Sequence, residues 1–93
     1  MDVRVQFGLA LQRLRRDRDL SQEDISGVTE IDRAYVGRLE RGEANPTLLM
    51  LARLASALDV SLSELLRTVN ITALPAGPQT PNKRRRQKRQ AND

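Results

Sequence analysis

Between Ser21 and Gly42 the chain reads SQEDISGVTEIDRAYVGRLERG, and this stretch decides the fold. Its apolar residues Ile25, Ile31, Val36 and Leu39, with small Ser26 beside Ile25, are spaced for two short helices crossing at a steep angle. Ser21 can start the first helix, because its hydroxyl accepts a backbone N–H left free in the opening turn. Gln22, Glu23 and Asp24 then complement the positive helix end. Asp32 starts the second helix in the same way, directly after Ile31, and Gly42 supplies a left-handed stop after Arg41. The pattern predicts a helix-turn-helix over residues 21 to 42.

Stepping the second helix at about 100° per residue places Tyr35, Val36, Leu39 and Glu40 on one side. Arg33, Ala34, Gly37, Arg38 and Arg41 fall on the other. An ordinary solvated helix face mixes both charge signs. This one carries only arginines and the two smallest residue types. Guanidinium groups between side chains too small to hold the backbone away suit a DNA major groove, where arginine pairs bidentately with guanine.

The runs Leu20-Ser21-Gln22-Glu23, Ile31, Asp32-Arg33, Leu39-Glu40-Arg41-Gly42 and Asn45-Pro46 carry a resemblance. From Phe7 to about Leu66, roughly two thirds of the chain, the sequence resembles the Cro and phage-repressor family of DNA-binding domains. The resemblance implies an all-α, compact five-helix domain. It also implies that Arg33, Ala34 and Arg38 reach base edges, and that Gln22, Tyr35, Gly37, Arg41 and Asn45 meet the DNA backbone. Gln22 in that pattern buttresses the site and offers phosphate the start of its helix. Arg15 is implied to pair with Glu40, tying the first helix to the recognition helix. One departure stands at the turn, where the family usually has glycine and this chain has Glu30. A left-handed conformation there costs a residue with a side chain about 1 to 2 kcal/mol, so the turn is either mildly strained or differently shaped.

On the N-terminal side, Phe7, Ala10, Leu11 and Leu14 predict a helix from Val3 to about Asp17, with Leu20 packing where the next begins. On the C-terminal side, Asn45-Pro46 marks a loop and Thr47 can cap a fourth helix running to about Leu58. Leu48, Leu51, Leu54, Ala55 and Leu58 are its expected core face. Ser61 followed by Glu64 repeats the start signal and predicts a fifth helix over Leu62 to Arg67. Leu65, Leu66, Val69, Ile71 and Leu74 extend beyond what a five-helix core needs; they either cover the base of the chain's own core or, the preferred expectation, make the region Leu62 to Leu74 a homodimer contact.

From Pro75 onward the composition changes: Pro75, Gly77, Pro78 and Pro81, with few apolar residues, read as a flexible linker. The expected domain is therefore residues 1 to 74, followed by a disordered basic tail over 75 to 93. Lys83, Arg84, Arg85, Arg86, Lys88 and Arg89 hold 6 of the 16 basic residues, so residues 1 to 82 carry 10 basic against 11 acidic. The net charge of +4 thus belongs to the tail, which would add a sequence-independent pull on DNA. The domain itself must rely on where its arginines stand.

With no cysteine and no histidine, neither a disulfide framework nor a metal site of the usual zinc type is expected, and nothing calls for a cofactor. The same absences, and the lack of a glycine-rich phosphate loop or a carboxylate pair, argue against an enzyme. No apolar run suits a membrane span or a signal peptide, so the expected location is cytoplasmic. The leading expectation is a sequence-specific transcriptional regulator binding double-stranded DNA as a homodimer. Among small relatives it looks most like restriction-modification controller proteins, which regulate their own operon. The alternatives are an antitoxin with a toxin partner, and a less specific nucleic-acid-binding module that relies on its tail.

Overall fold

The computed structural model describes residues 1–71. Leu74, the linker from Pro75 and the basic residues Lys83 to Arg89 lie outside the described residues. Five helices follow in order: α1 Val3–Asp17, α2 Gln22–Thr29, α3 Arg33–Glu40, α4 Leu48–Ala57 and α5 Leu62–Leu65. No strand occurs among the described residues, and no helix there is long and apolar enough to cross a membrane.

The starts of these helices follow from side-chain chemistry. Asp2 caps α1, accepting the Arg4 N–H at 2.7 Å. Ser21 and Asp24 form a reciprocal capping box at α2, each accepting the other's backbone N–H, at 2.9 and 2.7 Å. Asp32, Thr47 and Ser61 cap α3, α4 and α5. Each cap satisfies a donor that the helix itself cannot pair. At the end of α3, Arg41 closes the last turn and Gly42 follows with φ +76°, as expected of the stop. Glu30 also goes left-handed, with φ 64° and ψ 17°. The turn therefore keeps its shape without glycine.

Phe7, Leu11 and Leu14 of α1 meet Ile25, Ile31, Val36, Leu39, Leu54, Leu58 and Leu65 in one apolar core, aliphatic but for Phe7. α1 packs on α3 and α5, α2 on α3 and α4, and α4 on α5. α4 ends at Ala57 with Leu58 as its cap, as expected. Three expectations need correction. α5 is a single turn that stops at Leu65, short of Arg67. Leu48 is 71% exposed, not core. As the first residue of α4 it overhangs the bundle, whose edge is filled instead by loop residue Ala44 and by Met50 and Leu51. Leu65 is fully buried in its own core, which removes it from any contact between copies.

Candidate nucleic-acid interface

The position of α3 is set by an ion pair behind it. Arg15 reaches from α1 to Glu40 on α3 through two parallel bonds, Nε to Oε2 at 2.5 Å and Nη2 to Oε1 at 3.0 Å. Both side chains are buried. Arg15 Nη1 also donates to the Leu20 carbonyl at 2.8 Å, and Gln22 Nε2 donates to Glu40 Oε1 at 3.0 Å. One carboxylate thus joins α1, the start of α2 and the end of α3. Burial disfavours the Glu40 charge, but the bonds from Arg15 and Gln22 outweigh it and hold the carboxyl below its ordinary value. The same bond to Glu40 pushes the Arg15 guanidinium up.

On the opposite side α3 presents Arg33, Ala34, Arg38 and Arg41, all exposed. Asp32 fixes where this face begins, its Oδ2 accepting the Ala34 N–H at 3.0 Å. Arg33 stands in the first turn, and its guanidinium has no hydrogen bond or ion pair among the described residues. Such a side chain is free to pair with a base edge. Arg38 is exposed but engaged: its guanidinium lies 5.5 Å from the Tyr35 ring centroid, and Nη2 donates to the Glu43 carbonyl at 3.1 Å. Tyr35 is half-buried and packs against the core.

Gly37 lies on the same face as Arg41, as the helical projection places it, but is buried beneath the neighbouring side chains. A methyl there would sit 3.2 Å from Arg41 Nη1 and 3.5 Å from Gln22 Oε1. The missing side chain lets Arg41 and Gln22 converge over α3, so Gly37 acts as their seat. Asn45 is exposed in the loop between α3 and α4. The structure therefore brings Gln22, Gly37 and Arg41 together, sets Arg33 and Ala34 beside one another at the start of α3, and leaves Asn45 apart on the loop.

Sequence spacing does not reveal which groups hold Glu43. Its carboxylate meets Arg41 Nε at 3.1 Å, while its carbonyl holds Arg38. The only sequence signal was an acid two residues beyond an arginine, across a helix end where no periodicity rule applies.

The helix-turn-helix family pattern matches residues 11–65. Control protein C.MunI from a Mycoplasma species is 35% identical over 69 residues, 73% of this chain and 93% of its own. An uncharacterised HTH-type transcriptional regulator, y4dJ from Sinorhizobium fredii, is 40% identical over 72 residues, 77% of this chain and 94% of its own. The crystal structure of the restriction-modification controller protein C.AhdI from Aeromonas hydrophila superposes with a TM-score of 0.66. Its identity is 44%, covering 67% of this chain and 94% of that one. The chain belongs to the Cro/C1-type helix-turn-helix family of DNA-binding transcription regulators.

Proposed function

We propose that this protein is a sequence-specific regulator that binds operator DNA as a homodimer and controls its own operon in the manner of a restriction-modification controller. The observation that carries this reading is the start of α3, fixed by the Asp32 cap on the Ala34 N–H at 3.0 Å, where Arg33, without a polar partner among the described residues, and small Ala34 stand exposed. Inserted in a major groove, Arg33 would read guanine bidentately, with Ala34 admitting close approach. Arg38 would join it after leaving Glu43. Gln22, Tyr35, Gly37, Arg41 and Asn45 would position the domain on phosphates. The protein acts by binding rather than catalysis, in the cytoplasm, through a domain of residues 1 to 74. The basic residues Lys83 to Arg89 would add sequence-independent attraction.

The test is anisotropy binding to the DNA upstream of the protein's own gene and to random duplex, at two salt concentrations. A preference of about a thousandfold or more for the upstream DNA is expected of a specific regulator. Arg33→Ala should cost about 1 to 3 kcal/mol on that site and relax preference at one base pair. An equal loss on random duplex would make Arg33 a phosphate contact, and equal wild-type affinity for both duplexes would sink the operator reading.

A further inference from the structure

Glu43 is anchored where an acid is least expected, among the arginines that follow from the DNA-facing side of α3. Its backbone is tied at both ends: its N–H donates to the Arg38 carbonyl at 2.9 Å, and its carbonyl accepts from Arg38 Nη2 at 3.1 Å. The next residue, Ala44, is buried in the core. In the free protein the loop therefore holds the side chain in place, and its rotamers decide what the carboxylate meets. That side chain is 54% exposed and places its carboxylate 3.1 Å from Arg41 Nε. Arg41 in turn lies across Gly37 beside the Gln22 amide, on the side of α3 that carries Arg38.

The geometry points to Glu43 as a competitor with DNA phosphate for Arg41, an inference that rests on the DNA-binding reading above. In the free protein the carboxylate neutralises Arg41. When a phosphate approaches, Arg41 must leave that partner before it can count as a backbone contact. Exposed ion pairs are weak, so the exchange is permitted, but Arg41 contributes less than a free arginine would. Each cation placed on duplex phosphate adds about 0.9 to the salt dependence of binding. A partnered Arg41 adds less. Because backbone contacts are blind to sequence, this restraint leaves a larger share of the affinity to Arg33 and the base edges. Glu43 is thus a tuning residue for the balance between random DNA and operator.

The experiment compares wild type, Glu43→Gln, Arg41→Gln and the double variant on random duplex by anisotropy across a salt series, with thermal melting to verify folding. All substituted positions are exposed. Glu43→Gln is expected to bind about threefold or more tighter at 0.1 M salt, where charges interact over about 10 Å. Its salt slope should steepen by up to about 0.9. In the Arg41→Gln background the same substitution should change affinity by less than about half as much, because the contested arginine is gone. No gain from Glu43→Gln, or an equal gain in both backgrounds, overturns the competition while leaving DNA binding intact. Failure of the wild type to bind any duplex overturns the DNA-binding reading and this inference with it.

Discussion

Glu30 holds the turn of the helix-turn-helix at φ 64° with its side chain exposed. A left-handed residue with a Cβ carries about 1 to 2 kcal/mol of strain. Glycine removes that strain but surrenders about 0.5 to 1 kcal/mol through its freer unfolded chain. Glu30→Gly should therefore stabilise the domain by about 0.5 to 1 kcal/mol in urea unfolding. A loss of stability would mean that the Glu30 side chain makes a compensating contact in solution. The caps were legible from sequence because each is a local transaction: Ser21, Asp32, Thr47 and Ser61 accept from N–H groups two or three residues ahead. The engagement of Arg38 with Tyr35 and of Arg41 with Glu43 was not legible. Long side chains choose among several neighbours, and only the packed loop decides which ones lie within reach.

The helices themselves were readable from apolar spacing, yet the way they meet depends on distances that spacing does not encode. Leu48 fits the core period of α4 and is exposed because the bundle ends before it. Gly8 shows the converse. A Cβ there would lie 2.5 Å from the Glu40 carbonyl and 2.6 Å from that of Leu39, so the absence of a side chain sets how closely α1 approaches the end of α3. That close approach brings Arg15 and Glu40 into their buried pair, the one interhelical contact that the family resemblance did supply. Because the Glu40 carboxyl is held below its ordinary value, its contribution is present above the unfolded glutamate value, about 4.3. The contribution is lost as pH falls through the lower folded value. Glu40→Gln leaves Arg15 buried without an opposite charge and should cost about 3 to 5 kcal/mol near pH 7. The variant should also lose less stability than wild type between pH 5 and 3, since this carboxylate no longer protonates. Urea unfolding across that pH range measures both, and parallel pH curves for the two proteins would show that Glu40 does not govern the acid limb.

A single α3 spans too few base pairs to select one site in a genome, so the domain needs a second copy to become a regulator. Two-fold pairing would set two recognition helices about 34 to 36 Å apart, one turn of duplex. The surface we propose for such pairing is the C-terminal end of the described chain. Leu66 and Val69 are half-buried against the core, and Ile71 is 79% exposed beside them. Gln6 secures this end to α1, its Oε1 accepting the Asn70 N–H at 2.8 Å and its Nε2 donating to the Asn70 carbonyl at 3.1 Å. Ile71 therefore extends from a fixed support, and among the described residues it is largely uncovered. Ile71→Asp should leave the monomer's unfolding unchanged while shifting self-association, followed by sedimentation equilibrium, toward monomer by tenfold or more, about 1.4 kcal/mol. Operator binding should weaken by a similar factor at protein concentrations where the wild type is dimeric, because assembly on DNA then bears the lost association energy. Unchanged self-association would move the interface elsewhere, to the exposed Leu48 and Leu49 at the start of α4 or to Leu9 on α1 and Met1 just before it. The spacing of half-sites protected on the operator would then distinguish those arrangements, since each surface sets the two α3 helices a different distance apart.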